Sequence, residues 1–248
     1  MPYVAVSAIS HPGLLRERNE DSLAVGPWTL CATVTENPQT LIFPLGTPLV
    51  VAVADGLGGH PGGEVASALV VRRIAALGPA LSSEVAVRDA LNLCNRAVFK
   101  AAGGDQAGEL AGMGTTVAGV VVRPDALLVF NVGDSRVLAA SRDGLRQLSV
   151  DDSPPHPAGR TTSLVTQSLG GSLTYRAVVP HVTSETMAPG ERYLICSDGL
   201  TDPVATDVLE EILREHDDGR AAFELWKAAI EAGGPDNITV AVVRVEQE

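Results

Sequence analysis

Several acidic side chains of this sequence stand at the ends of apolar segments, where a carboxylate would be held on a rigid element beside a nonpolar core. They are Glu20, Asp21, Asp55, Asp198 and Asp236, and Asn237 directly follows the last of them. A single acid in such a place is usually a turn or capping residue, because Asp and Asn side chains satisfy nearby backbone amides. The pairs Asp55-Gly56 and Asp198-Gly199 nevertheless repeat one device, in which an acid leaves an apolar run and the following glycine lets the backbone approach a ligand.

Carboxylates that converge beside a nonpolar core repel one another and take up protons unless a cation lies between them. Oxygen ligands without accompanying His or Cys favour Mg²⁺ or Mn²⁺ over zinc. We therefore interpret the acids as ligands of a metal cluster.

Arg16 lies five positions before Asp21, and its planar guanidinium could bind two oxygens of a phosphate. The alternative is a solvent-exposed surface arginine, which is the interpretation that we keep for Arg18.

The overall composition excludes several classes of protein. The 248 residues include 18 Lys and Arg against 30 Asp and Glu, a formal net charge of −12, which argues against nucleic acid as a partner. A hydrophobic content of 45% with 19% charged residues is typical of a globular protein. No apolar stretch approaches the roughly 18 residues of a membrane-spanning helix, and the start lacks the pattern of a signal peptide. We therefore expect no membrane segment, a cytoplasmic location and three unpaired cysteines.

The elements that must position the acids can be read from the apolar periodicity. Helical spacing predicts two consecutive helix pairs, 63–77 with 83–101 and 206–216 with 220–232, and Ser83 is a suitable N-cap. Short Val- and Ile-rich runs bounded by turn residues predict strands at 3–9, 49–54, 115–122, 127–132, 136–140, 177–182, 193–196 and 238–245. This order lacks the regular alternation of a parallel sheet. It favours antiparallel sheets with helices on their outer faces.

The motifs that contain these residues resemble those of a known family, the bacterial metal-dependent protein serine/threonine phosphatases of the PPM or PP2C type. Six blocks match in order and cover nearly the whole chain. They are Gly13-x-x-Arg16-x-x-Asn19-Glu20-Asp21, the block from Val53-Ala54-Asp55-Gly56 to Ala66-Ser67, Gly112-Met113-Gly114-Thr115-Thr116, Asn131-Val132-Gly133-Asp134-Ser135-Arg136, Ser197-Asp198-Gly199-Leu200-Thr201-Asp202, and Gly234-Pro235-Asp236-Asn237-Ile238-Thr239-Val240.

The resemblance implies an α+β fold, a four-layer α-β-β-α sandwich in which helix pairs flank two central antiparallel sheets, and a single domain over 1–248. It also implies two Mn²⁺ or Mg²⁺ ions. By matching position, Asp55 would bridge both ions, Asp198 and Asp236 would hold one, and the Gly56 carbonyl with Glu20 would serve the other. Arg16 matches the phosphate-binding arginine, and Asp21 and Asn237 would orient the ligands from behind. The chemistry implied is attack of a metal-activated water on phosphorus without a phosphoenzyme.

Three departures from the family pattern stand out. Leu57 occupies the place of a histidine that animal members carry, so we assign no general acid. The acid nearest to Gly112-Met113-Gly114 on its N-terminal side is Glu109, which makes it the candidate ligand for a third ion. The flap that follows Asp151 is reduced to a proline-rich loop near 151–162, which predicts an open substrate groove.

The leading hypothesis is hydrolysis of phosphoserine and phosphothreonine in proteins, which would reverse the action of a cognate serine/threonine kinase. The alternative is a non-catalytic signalling module that keeps the fold and binds a kinase or a regulator. Loss of one of the metal-binding acids would favour that alternative, and none of the four core acids is lost: Glu20, Asp55, Asp198 and Asp236 are all present.

Overall fold

The computed structural model describes residues 2–57, 62–103, 108, 110–154, 164–188 and 190–246. In this part of the chain the strands are β1 (Tyr3–His11), β2 (Ser22–Val25), β3 (Trp28–Cys31), β4 (Gln39–Pro44), β5 (Leu49–Ala54), β6 (Gly114–Thr115), β7 (Val117–Val122), β8 (Leu127–Val132), β9 (Arg136–Ser141), β10 (Gly144–Gln147), β11 (Leu169–Gly170), β12 (His181–Glu185), β13 (Arg192–Cys196) and β14 (Ile238–Glu246). The helices are α1 (Gly63–Leu77), α2 (Glu84–Ala101), α3 (Asp198–Thr201), α4 (Thr206–Glu215) and α5 (Asp218–Glu231), with a 3₁₀ turn at Gly78–Ala80.

Most of these strands form two antiparallel sheets of six strands each. The first has the order β10-β9-β13-β14-β1-β4, and the second has the order β12-β8-β7-β5-β2-β3. A separate two-stranded ladder joins β11 to β6. The inner faces of the two sheets share one hydrophobic core of small and branched side chains, including Val6, Val51, Val120 and Ile195.

The helices cover the outer faces of both sheets. Helices α1 and α2 pack on the second sheet through a core that includes Val70 and Leu91. Helices α4 and α5 pack on the first sheet around Leu209 and Leu225. The result is the four-layer α-β-β-α arrangement that the resemblance implied. No helix in the described ranges is long and apolar enough to cross a membrane.

Both long helix pairs begin close to the positions predicted. The Ser83 hydroxyl accepts a hydrogen bond of 3.2 Å from the Ala86 amide and caps α2. Helix α5 begins two residues earlier than predicted, because Asp217 accepts the Arg220 amide at 2.9 Å and serves as its N-cap.

One predicted strand was wrong in position. The expected strand over 177–182 is instead β12, which pairs with β8 only from His181 onwards. Pro180 lacks the amide that a ladder position requires, so regular pairing begins after it. Strands β3, β4 and β10 were not predicted. They are short and only partly buried, with an exposed or intermediate side chain at every position, so they lack the continuous apolar run that marked the central strands.

The strand register brings the acidic positions to one end of the sandwich. Ser22 of β2 pairs with Ala54 of β5, so the preceding Asp21 and the following Asp55 are neighbours. Strand β13 ends at Cys196, which pairs with Val240 near the start of β14. Asp198 and Asp236 therefore emerge together beside this end.

Candidate functional site

Asp55 lies at the centre of a cluster of carboxylates. Its carboxyl group lies close enough to those of Asp21 and Asp198 for the three groups to affect one another's protonation. Burial raises the pKa of Asp55 well above its ordinary value, and the negative charges of Asp21, Asp198 and Asp236 raise it further. Three of the predicted acids and the neighbouring Asp21 are thus close enough to affect one another's protonation.

The pKa values of Asp21 and Asp198 are raised as well. Burial raises the pKa of Asp198 to about 8, and the charges of Asp134, Asp202 and Asp236 add to the effect. Burial also raises the pKa of Asp21 to about 6. Carboxylates with raised pKa values are held in an environment that disfavours their ionised form, and a divalent cation would reverse that preference.

Two oxygens of the cluster have no hydrogen-bond partner. Asp21 Oδ1 and Asp198 Oδ1 are both buried and unpaired in the described structure. An unpaired buried polar atom costs about 1–3 kcal/mol, so its retention is explained most simply by a ligand. Hard cations bind carboxylate oxygens, so Asp198 Oδ1 fits a divalent metal, and Asp21 Oδ1 fits a water molecule bound to such a metal. Within the described ranges, no three Asp, Glu, His or Cys side chains are already arranged as a complete set of metal ligands.

Glu20 and Gly56 form the other side of the cluster, where α1 begins. A Cβ atom added at Gly56 would lie 2.4 Å from the Gly63 carbonyl carbon and 2.8 Å from the Glu20 carbonyl oxygen. A Cβ atom added at Gly63 would lie 2.7 Å from Glu20 Oε2. Only glycines allow this close approach, which brings the Glu20 carboxylate beside the Gly56 backbone. Burial raises the pKa of Glu20, and the charge of Glu64 raises it further.

The backbone of Asp55 is fixed by the strand that faces it. Thr115 Oγ1 donates a hydrogen bond of 2.7 Å to the Asp55 carbonyl oxygen, and the Thr116 amide donates to the same oxygen at 2.9 Å. The Thr116 hydroxyl in turn accepts the Asp55 amide at 3.2 Å. The two threonines of the Gly-Met-Gly-Thr-Thr block therefore hold the central acid and do not form a phosphate cradle.

Arg16 lies at the edge of the cluster, about half exposed. Its Nη2 atom donates a hydrogen bond of 2.8 Å to Asp236 Oδ2. This hydrogen bond and the Asp236 charge raise the pKa of Arg16, and the charges of Glu20 and Asp55 contribute as well. Arg18, by contrast, is 75% exposed and pairs with Glu64 at 3.6 Å. Arg16 thus lies beside the acidic cluster, whereas Arg18 lies in solvent.

Asn237 fastens the segment that carries Arg16. Its Nδ2 group donates to the Pro12 carbonyl at 3.0 Å and to the Arg18 carbonyl at 2.8 Å. Its Oδ1 atom accepts the Glu20 amide at 2.8 Å. One side chain thus holds both ends of the loop 12–20, and Asn237 positions Arg16 and Glu20 by way of the backbone.

A buried polar network lies behind the cluster, and sequence reasoning missed it. Ser197 Oγ donates a hydrogen bond of 2.8 Å to Asp21 Oδ2 and accepts the Thr239 amide at 3.0 Å. The Thr239 hydroxyl also pairs with Ser10 at 2.8 Å, and Asn19 Nδ2 donates to Ser10. Ser, Thr and Asn are also common in turns, so their residue types alone gave the sequence analysis no decisive signal.

Asp134 and Asp202 were also not selected as site residues. Their charges raise the pKa of Asp198, so both lie on the same side of the cluster. Burial raises the pKa of Asp134 to about 6. Asp202 could have been selected from the sequence, because it shares a motif with Asp198.

Two expectations, the third-ion ligand Glu109 and most of the shortened flap near 151–162, lie outside the described residues.

Comparison with known proteins identifies relatives of this chain. The family model described as protein phosphatase 2C matches residues 44–231. The serine/threonine protein phosphatase PstP of Mycobacterium tuberculosis is 33% identical over 255 residues, which cover 96% of this chain and 44% of PstP. The chain therefore spans less than half the length of that relative. The serine/threonine phosphatase stp of Listeria monocytogenes is 33% identical, with 93% of this chain and 92% of that protein covered.

Solved structures give the same relationship. The crystal structure of the PstP catalytic domain in complex with two manganese ions has a TM-score of 0.77 and 30% identity to this chain. The match covers 98% of this chain and 99% of that one. The structural likeness therefore extends over both sheets and both helix pairs. Because the family model spans most of the sequence, the chain belongs to the protein phosphatase 2C family.

Proposed function

We propose that this chain hydrolyses phosphoserine and phosphothreonine in proteins, at a centre that binds two Mn²⁺ or Mg²⁺ ions. The observation that carries the proposal is the pair of unpaired buried oxygens near Asp55: Asp198 Oδ1, which would bind an ion, and Asp21 Oδ1, which would accept a hydrogen bond from a metal-bound water. The PstP relative, whose catalytic domain binds two manganese ions, supports the same conclusion.

The ligand assignment follows the neighbours of each acid. The charges of Asp21, Asp198 and Asp236 all raise the pKa of Asp55, which is the proposed bridge between two ions, and Asp198 and Asp236 are the proposed ligands of one ion. Glu20 and the Gly56 carbonyl are the proposed ligands of the other. When bound, the ions would supply an activated water and neutralise charge on the phosphoryl oxygens. Glu109 stays a proposal for a third ion.

The residues of the chain itself have separate roles in this proposal. Arg16 binds the phosphate of the substrate, since its guanidinium is half exposed and already points to the cluster through Asp236. Asn237 holds the loop that carries Arg16. Ser197 and Thr239 keep Asp21 in place behind the ligands, so that it orients them without contacting the substrate.

A phosphorylated protein is the proposed substrate, and a serine/threonine kinase is the proposed opposing enzyme. We also propose that the chain acts in the cytoplasm. The three cysteines support this location, because Cys31, Cys94 and Cys196 are all free, as expected in a reducing compartment. Burial raises the pKa of Cys94 and of Cys196 to about 12, so neither thiol is suited to act as a nucleophile.

The test is release of phosphate from a phosphothreonine peptide in the presence of Mn²⁺. The proposal predicts turnover by the wild-type chain, and loss of turnover both in EDTA and in Asp198→Ala. Full activity in either control would refute metal-dependent hydrolysis. No activity under any condition, together with retained Mn²⁺ binding, would favour the non-catalytic alternative.

A further inference from the structure

Two adjacent leucines lie in solvent directly before the proposed phosphate-binding arginine. The side chains of Leu14 and Leu15 are 60% and 73% exposed. A single exposed leucine on a protein surface needs no explanation. Two in succession are unusual here, because the residues that follow them in the same loop are polar or charged, from Arg16 to Glu20.

The backbone beneath these leucines is held firmly. The Leu14 amide donates a hydrogen bond of 2.8 Å to the Gly234 carbonyl. Gly13 has a φ of +78°, and a Cβ atom there would lie 2.1 Å from the Asp236 carbonyl oxygen. The loop is therefore pressed against the turn that carries Asp236. Asn237 fastens its far end through the Arg18 carbonyl. Because the loop is fixed at both ends, it has little freedom to bury the two leucines, and they stay exposed.

Leu14 lies against the turn that carries Asp236. A Cβ atom built at Gly234 would lie 3.0 Å from Leu14 Cγ and 3.3 Å from Ile230 Cδ1. Leu14 and Ile230 thus both lie close to this glycine. Leu15 is the more exposed of the pair, and is free to contact a molecule that approaches Arg16.

Chain geometry limits what that molecule can be. The Cα atoms of Leu15 and Arg16 are separated by about 3.8 Å, and an extended peptide advances about 3.3 Å per residue. A side chain one or two positions from the phosphorylated residue is therefore within reach of Leu15 while Arg16 contacts the phosphate. Burial of an apolar side chain against Leu15 removes nonpolar surface of both partners from water.

We infer that Leu15, beside Leu14, selects phosphoprotein substrates that carry an apolar residue next to the phosphorylated serine or threonine. This inference rests on the proposed function, since it assigns a specificity to the same site. It treats Leu15 as a substrate-contacting residue outside the metal cluster, and it explains why two leucines are fixed in solvent at this position.

The test compares two phosphothreonine peptides that differ only in the two residues flanking the phosphothreonine, which are leucine in one and serine in the other. We expect the wild-type chain with Mn²⁺ to prefer the leucine peptide by roughly tenfold in kcat/KM, a value typical of a small apolar contact. In Leu15→Ala the preference should fall below about threefold, and Leu15→Met, which keeps the apolar surface, should restore it.

Val85→Ala is the matched control, because Val85 is 65% exposed. It lies in the first turn of α2, beyond the far end of α1 from Gly56, and should leave the preference at the wild-type value. Equal preference in wild type and Leu15→Ala, or no preference in wild type, would overturn the inference alone. Failure of the wild-type chain to hydrolyse either peptide would overturn the proposed function, and this inference with it.

Discussion

Arg16 Nη2 donates a hydrogen bond of 2.8 Å to Asp236 Oδ2, so the proposed phosphate-binding group is paired with a proposed metal ligand. The other oxygen of Asp236 accepts the Asn237 amide at 2.8 Å. Asp236 therefore links the loop of Arg16 to the start of β14. This pair joins the two halves of the site, the one that would hold phosphate and the one that would hold metal.

Replacement of Arg16 by lysine should reduce catalysis strongly. Lysine keeps the positive charge but loses the planar fork that binds two oxygens together, so kcat/KM for a phosphothreonine peptide should fall roughly 100-fold. Steady-state kinetics with Mn²⁺ measures this. Arg18→Lys is the matched control, because Arg18 is 75% exposed and lies in the same loop. A loss of less than about threefold for Arg16→Lys would contradict the proposed phosphate contact.

Asn237→Ala should loosen the loop 12–20. The substitution removes both bonds from Nδ2 and the acceptor of the Glu20 amide. The free energy of unfolding should fall by about 1–3 kcal/mol, because buried backbone groups are left unpaired. Urea denaturation monitored by circular dichroism gives this value, and kcat/KM should fall as well. Asn92→Ala, which removes one bond to the Arg88 carbonyl on α2, should change neither quantity much. Similar losses in both variants would argue against a positioning role for Asn237.

The metal-free protein should become less stable as the pH rises. The pKa of Asp198 is raised to about 8 and that of Asp21 to about 6, so the folded state binds protons more tightly than the unfolded chain. Stability from this source is complete below the ordinary carboxyl pKa near 4 and is lost as the pH rises through 6 and 8. In EDTA, the melting temperature should be roughly 2–8 °C lower at pH 8 than at pH 5.5.

Asp198→Asn provides the control for this pH dependence. The amide cannot ionise, so the variant in EDTA should lose most of the difference between pH 5.5 and pH 8 and should melt above the wild type at pH 8. A difference of the same size in the variant would place its origin outside the carboxylate cluster. A melting temperature that rises with pH in the wild type would contradict the raised pKa values.

Mn²⁺ should stabilise the folded chain at pH 8 by replacing the missing protons. A ligand that binds only the folded state adds about 2.7 kcal/mol when its concentration is 100 times its dissociation constant. Differential scanning fluorimetry at increasing Mn²⁺ should therefore show a rising melting temperature. Asp55→Asn, which removes the central acid, should show little or no rise. An equal rise in both proteins would place the binding site elsewhere.

The sequence predicted the central elements well because their signals are local. Helix 63–77 and strands 49–54 and 127–132 show continuous or periodic apolar patterns, and the structure has them at those positions. Strand 177–182 failed because Pro180 interrupts the pairing. The edge strands β3 and β4 were not predicted, because their partly exposed side chains give the same sequence pattern as a loop.

The candidate site likewise contains residues that the sequence could identify and contacts that it could not. The acids at strand ends could be selected from the sequence because a carboxylate followed by glycine is a short-range pattern. The contacts of Ser197 with Asp21 and of Asn237 with Pro12 join residues 176 and 225 positions apart. Such pairs depend on the tertiary arrangement of β13 and β14, which no local pattern encodes.

The number of Mn²⁺ ions bound per chain tests the central claim most directly. Isothermal titration calorimetry of the metal-free chain at pH 7.5 should give at least two ions per chain, the number present in the PstP catalytic domain, and no more than weak residual binding in Asp55→Asn. Fewer than one ion per wild-type chain, or unchanged stoichiometry in Asp55→Asn, would contradict the dinuclear site.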